Sequence, residues 1–336
     1  LKHRVVALAG AIVVAAGACS PSAGPAGKTP TPSGSSSSSH VGTAPDGGPL
    51  PGTPDEALRK VALEFAIQGR PFPLPVVRAT VAGTETIALV DTGANSTVIA
   101  GWLARKTNLT LQRFGDTGTD HTGRSIETRR ALHPQVEIVG WGSLPDEPLL
   151  VTDVPDAVTK LGIGVFISPQ KLAGAGEAIV LDFPHKEMRA VKRGTTLATL
   201  GSALTLDPVT LCEDKESPIQ GLAYVVGGTI EGEPVKLLVD TGAHHSDLLM
   251  SSPPGTKLLP RAVESKEQVY AASGKVTPKV LKDVKVSVGA VEASYDVDLI
   301  PGKKDDFCPR DGVLAMDVLA KCELMLEPGK LTGICR

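Results

Sequence analysis

Ile87-Ala-Leu-Val-Asp91-Thr92-Gly93-Ala94 and Lys236-Leu-Leu-Val-Asp240-Thr241-Gly242-Ala243 are one phrase written twice in a chain of 336 residues. Each is an apolar run leading into Asp-Thr-Gly. The offset of 149 residues from Asp91 to Asp240 also sets Thr80 on Thr229, Val81 on Ile230, Gly83 on Gly232 and Leu89-Val90 on Leu238-Val239, with Ile99 close to Leu248-Leu249. A period this long excludes a solenoid, whose units run to about 20–50 residues. It predicts two duplicated lobes, each built as strand, turn, apolar strand and Asp-Thr-Gly turn. Asp91 and Asp240 then face each other across a pseudo-two-fold axis.

Working outward, Val61, Leu63, Phe65 and Ile67 alternate as in a strand, against a competing helix over 55–66. Val76 to Val81, the turn Ala82-Gly83-Thr84 and Ile87 to Val90 lead into the first triplet, and Trp102 to Lys106 reads as a helical turn. Asp116 to Arg130 reads as a hairpin with Thr122-Gly123 at its tip, and Ser273-Gly274 is its counterpart. Both are flap candidates over a cleft. Val136 to Gly140 matches Lys285 to Gly289 as the returning strand. Gly312 to Leu319 predicts a turn running into a short helix, and Cys322 to Glu327 a final strand. Many Gly and Pro, with short Val/Thr-rich runs, favour an all-β fold with a few short helices. With 3% aromatic residues, the cores must rest on Val, Leu, Ile and Ala.

The formal charge of −3 and the lack of a basic stripe argue against a nucleic-acid partner. At the N-terminus, Lys2-His3-Arg4, an apolar stretch from Val5 to Ala16 and small residues before Cys19 have the layout of an export signal over residues 1–18. A dozen apolar residues fall short of the ~20 that a spanning helix needs. Ala16-Gly17-Ala18-Cys19 resembles a bacterial lipobox, with Ala16 where Leu is usual, so Cys19 is a lipidation candidate. Removing residues 1–18 takes away Lys2 and Arg4 and moves the charge to −5. Residues 19–54, rich in Pro, Ser and Gly, read as a disordered tether. The expected order is then an N-terminal lobe over 55–195, a connection over 196–214 and a C-terminal lobe over 215–336.

The two Asp-Thr-Gly-Ala motifs in aligned surroundings resemble the aspartic proteases, of pepsin and retropepsin type, over about residues 60–335. The resemblance implies a two-lobed acid-protease β-barrel fold and an aspartic endopeptidase. Asp91 and Asp240 would be its catalytic pair, with Thr92, Gly93, Thr241 and Gly242 supporting the active-site loops. It implies no cofactor and no metal, and a peptide or protein substrate between the lobes. The chain is expected to be a monomer, attached to a membrane only through a lipidated Cys19. Gly312-Val-Leu-Ala-Met-Asp-Val-Leu resembles the family's apolar-apolar-Gly segment, with Ala315 in place of Gly. The lobe 1 counterpart, Gly164-Val-Phe-Ile-Ser-Pro, is looser, and the flap Tyr of pepsins is missing between Gly115 and Arg130. Ala94 and Ala243 stand where pepsins have Ser or Thr, which implies a less acidic optimum. The alternative is a peptide-binding module that keeps the fold without turnover.

Three further signals are set aside. Asp116-Thr117-Gly118 follows no apolar strand and reads as a chance match in a loop. Gly118 to Ser125 approaches a P-loop, but Arg124 replaces the Lys and no strand precedes it. His244 and His245, adjacent on an extended segment, should point apart and act as cleft wall rather than as metal ligands. Cys212, Cys308, Cys322 and Cys335 are even in number, which suggests two disulfides in an exported chain. Of three connectivities, Cys308–Cys322 with Cys212–Cys335 is preferred.

Overall fold

Tight hairpins build the molecule, and their turns repeat at the same offset as the sequence. Ala82 and Gly83 (φ 45° and 75°) join Arg70–Val81 to Thr84–Val90, and Glu231 and Gly232 (φ 53° and 79°) join Gly221–Ile230 to Glu233–Val239. Two consecutive positive φ values give the turn the twist that antiparallel strands need, and Gly takes the second place without steric cost. The structure is a computed structural model that describes residues 12–13, 57–120, 122, 124–197, 202–204, 210–214, 221–271, 274–303 and 308–335. The expected signal cleavage site, Cys19, the tether, Gly123 and Ser273 lie outside the described residues, as does the side chain of Cys212.

The all-β expectation holds. One large sheet carries the N-terminal half, in the order Leu111–Asp120, Ser125–Ala131, Leu149–Thr152, Val98–Ala100, Ile163–Ile167, Thr84–Val90, Arg70–Val81, Val136–Ile138, Gly142–Ser143. Glu64–Ile67 pairs with Arg70–Val81, and Ile12–Val13 pairs with Thr119–Asp120 at the far edge. The C-terminal half repeats the plan: Gly221–Ile230, Glu233–Val239, Gly312–Leu314, Asp247–Leu249, Val291–Ile300, Lys279–Val288. In both halves the strand entering Asp-Thr-Gly has a parallel neighbour from late in that half, Ile163–Ile167 or Gly312–Leu314. The short helices Gly101–Lys106 and Met316–Leu319 stand where sequence placed them.

A six-stranded sheet joins the halves. Glu177–Asp182 of the first lies beside Cys322–Glu327 of the second, in register from Ile179↔Leu326 to Asp182↔Glu323. Arg189 pairs with Glu323 across this seam and with Asp182 at 3.3 Å, and the Tyr224 hydroxyl donates to the Glu327 carbonyl at 2.8 Å. The core is Val, Leu, Ile and Ala almost throughout.

The strand expected from Val61 to Ile67 is present as Arg59–Ala62 and Glu64–Ile67, in preference to the competing helix. Three expectations need correction. Asp116-Thr117-Gly118 lies in the hairpin strand Leu111–Asp120, with Thr117 opposite Glu127, rather than in a loop. Cys322 is bonded to Cys335, not to Cys308. These two cysteines face each other at the ends of the last hairpin, so sheet register decides the pairing. Cys308 is disulfide-bonded as well, to a partner outside the described side chains. His244 and His245 do not point apart: a bend places their ring centroids 4.1 Å from each other.

Candidate active site

Each Asp-Thr-Gly turn leaves the C-terminal end of a buried strand. The Asp91 N–H donates to the Ile167 carbonyl at 2.9 Å, and the Asp240 N–H to the Leu314 carbonyl at 3.0 Å. Ile167-Ser168 and Leu314-Ala315 are thus the equivalent supports, so Ser168 and Ala315 occupy the place that the sequence resemblance gave to Gly. Both aspartates are fully buried.

The turns are locked to each other by exchanged threonines. The Thr92 hydroxyl donates to the Val239 carbonyl and the Thr241 hydroxyl to the Val90 carbonyl, both at 2.7 Å. Each hydroxyl also accepts the other threonine's backbone N–H, Thr92 N–H to Thr241 Oγ1 at 3.0 Å and Thr241 N–H to Thr92 Oγ1 at 3.1 Å. The glycines allow the approach. A Cβ on Gly93 would stand 2.5 Å from Asp240 Cγ, and one on Gly242 2.5 Å from Asp91 Cγ. Any side chain there would push the opposite carboxyl away.

Asp91 and Asp240 share a side-chain hydrogen bond. Ala94 N–H donates to Asp91 Oδ1 at 3.0 Å, and Gly242 N–H to Asp240 Oδ1 at 2.8 Å. The Oδ2 atom of each carboxyl is buried without a partner in the protein. Burial first, and then the neighbouring Asp240 carboxylate, holds Asp91 well above the usual carboxyl range. Burial pushes Asp240 up to about 6, opposed by the hydrogen bond from Asp91, the Gly242 N–H and the buried Arg310. Two carboxyls this close retain one proton between them, and the titration belongs to the pair.

Thr122, at the hairpin tip, is buried; its N–H and hydroxyl both donate to Asp120 Oδ1, and its carbonyl accepts the Lys303 N–H at 2.8 Å. The tip therefore reaches the C-terminal half. Gly274 lies in the short hairpin Val269–Ala271 with Gly274–Val276. Among the described residues no group of His, Cys, Asp and Glu is placed to hold a metal.

Several residues near the pair escaped the sequence reading. Gln170 Nε2 donates to the Thr92, Ala94 and Leu222 carbonyls at 3.1, 2.9 and 2.7 Å. Asp317 accepts the Ser246 N–H and hydroxyl at 2.8 and 2.7 Å. Asp247 is buried seven residues beyond Asp240. At the 149-residue offset Asp247 falls on Val98, and a charge where the sister copy is apolar was the available signal.

The duplicated all-β fold thus brings two Asp-Thr-Gly loops together. Residues 77–167 match the family model described as aspartyl protease. A structure of the aspartic proteinase from Irpex lacteus is similar at a TM-score of 0.42 and 12% identity, over 78% of this chain and 94% of that one. No curated protein matches the sequence.

Proposed function

We propose that the protein is an aspartic endopeptidase whose lobes, residues 55–195 and 215–336, hold a peptide over Asp91 and Asp240. The observation that carries this reading is the hydrogen-bonded carboxyl pair with an unpartnered Oδ2 on each member. The ionised carboxylate takes a proton from a water bound between the two. The protonated carboxyl polarises the scissile carbonyl as the water attacks, and the proton then passes to the leaving amine. No covalent intermediate forms. The hairpin tip at Thr122 covers the bound chain.

The pair must carry one proton to work. With Asp240 pushed up to about 6 and Asp91 held well above the usual carboxyl range, the singly protonated form of the pair is populated above pH 6. Activity rises as pH climbs through about 6 and falls as the second proton leaves. The test is cleavage of a peptide library by the native chain and by Asp240→Asn, with pepstatin as control. Cleavage by both, or a rate profile peaking near pH 2, would sink the reading. Binding of peptides with no cleavage by either would favour the non-catalytic module.

Among the described residues no helix is long and apolar enough to cross a membrane, and the Cys322–Cys335 bond is compatible with an oxidising compartment. We infer export of a monomer, tethered through a lipidated Cys19 with residues 19–54 as spacer. A native chain that takes up no fatty-acid label, or one labelled equally after Cys19→Ser, removes the anchor.

A further inference from the structure

The duplication fails at one pair of strand neighbours. In the N-terminal half Val98 and Leu150 are parallel partners, both fully buried. The same places in the C-terminal half hold Asp247 and Asp298. Asp247 is 3% exposed, and its Oδ1 has no hydrogen-bond partner. The sister strands show that apolar residues satisfy the fold there. A buried carboxyl with an unpartnered oxygen is costly, even with the Val313 N–H and the Arg310 charge bearing on it, and the sister strand does without one.

Alternation along the strands shows what the two carboxyls face. Leu248 and Leu299 point into the main core, while Leu249 and Ile300 pack with Val269, Ala271 and Val276 of the short hairpin. Asp247 and Asp298 lie two residues from Leu249 and Ile300, and so on the hairpin side. A cavity of about 320 Å³ opens on that side, with Asp298, His245, Glu267, Asp296 and Lys282 in its wall. Lys282 is taken by Asp296 at 2.7 Å. Glu267 and Asp298 remain as carboxylates with no ion pair among the described residues, opposed by the exposed Lys266 and by His245, which faces Asp317 at 3.9 Å. The Asp240 carboxylate bears on Asp247 through its charge, and His245 of the cavity wall lies two residues before Asp247, so the segment that leaves Asp240 leads to the cavity.

We propose that this cavity is a substrate subsite for a cationic side chain, Lys or Arg, close to the scissile bond, with Asp298 holding the cation and Asp247 behind it. The assignment rests on the peptidase reading and names its substrate class. An ammonium or guanidinium entering the cavity supplies Asp298 with a direct charge partner and donors, and adds to the Arg310 charge already acting on Asp247. A neutral side chain would bury the same carboxyls and leave them unpaired.

The test uses fluorogenic decapeptides of Leu and Ala in which one Lys, or one norleucine of similar length, is moved through every position. With the full-length native chain, Lys at one position raises kcat/KM about tenfold over norleucine, roughly the effect of one charge-assisted contact. Asp298→Asn brings that ratio to within about twofold, and Asp247→Val, which restores the sister residue, lowers it too. The same peptides are bound to Asp91→Asn and read by fluorescence anisotropy, which needs no turnover. Equal treatment of Lys and norleucine at every position in both assays, including no signal from either, overturns the proposal. So does a Lys preference that survives both substitutions. Failure of the peptidase reading looks different: the native chain cuts nothing, while Asp91→Asn still binds the Lys peptide more tightly.

Discussion

The two halves are alike where they touch each other and unlike one turn further on. Asp91-Thr92-Gly93 and Asp240-Thr241-Gly242 exchange matching hydrogen bonds, with hydroxyl-to-carbonyl distances of 2.7 Å in both directions. Past Ala94 and Ala243 the chains diverge into Asn95-Ser96-Thr97-Val98 and His244-His245-Ser246-Asp247. Thr97 and Ser246 still play one role, each hydroxyl accepting a backbone N–H, from Ser168 at 3.2 Å and from Ala315 at 3.0 Å. The surrounding groups differ in kind. The first half is held by the neutral amide of Gln170, while the second holds Asp317, Asp247, Asp298, two histidines and Arg310. On the proposed peptidase reading, chemistry that needs two equal carboxyls keeps the symmetry, and recognition of an unsymmetrical peptide has no reason to.

The largest effect should come from breaking the equal part. Asp91→Asn and Asp240→Asn should each lower kcat/KM by ~10³-fold, the scale of losing a general acid or base. The measurement is steady-state hydrolysis of any peptide that the native chain cuts. Tenfold or more residual activity in one variant over the other would mean that the carboxyls are not a working pair. The exchanged threonines come next. Thr92→Val orphans the Val239 carbonyl and the Thr241 N–H, and Thr241→Val orphans the Val90 carbonyl and the Thr92 N–H. Each should destabilise by about 3 kcal/mol in a denaturant titration, since two buried backbone groups lose their partners. A gap above about 1 kcal/mol between the two variants would show that the symmetry is geometric only, given the usual uncertainty of such comparisons.

What was legible in the sequence follows the same division. The strands, the hairpin turns at Ala82-Gly83 and Glu231-Gly232, and the helices at Gly101–Lys106 and Met316–Leu319 are set by local patterns with a period of two or by turn chemistry, and the sequence shows them directly. Sheet register is not local. It decides that Cys322 faces Cys335, and no spacing argument among four cysteines could supply that. The bend at His244-His245 depends on the tight Asp-Thr-Gly turn before it, so a rule for extended segments failed there. Gln170 was invisible because its three carbonyl partners come from segments 52 to 78 residues away. Asp247 was visible in principle, as a charge set against Val98, but only once the repeat was read for its differences.

Asp247→Val makes the second half copy the first. Burial, with the nearby Asp298 and Asp240 carboxylates, holds Asp247 well above the usual range, while Arg310 opposes the shift. The substitution should stabilise the protein by about 2 kcal/mol at pH 7.5, because a buried carboxyl with an unpartnered oxygen gives way to a side chain that the sister strand already accommodates. Denaturant midpoints compare the two chains. A destabilised variant would mean that Asp247 has a structural partner the sheet does not reveal, and the contrast with Val98 would lose its meaning.

Asp298→Leu, copying Leu150, should have the smallest effect and the most telling pH dependence. Burial pushes Asp298 up to about 6, so the folded protein binds this proton more tightly than the unfolded chain does. A carboxyl raised in this way adds its full stability below its unfolded value near 4 and loses it as pH rises through about 6. Leu has no proton to lose. The two chains should therefore differ little at pH 4, and the variant should lead by about 1 kcal/mol at pH 7.5, after allowance for the partial exposure of Asp298. Denaturant titrations at those two pH values decide it: a lead that is already full at pH 4 would trace the gain to apolar packing alone. If the lead grows with pH while the same variant loses its preference for Lys peptides, one carboxyl accounts for both. The second lobe then carries at Asp298 a stability cost that the first avoids, and a cationic side chain is what offsets it.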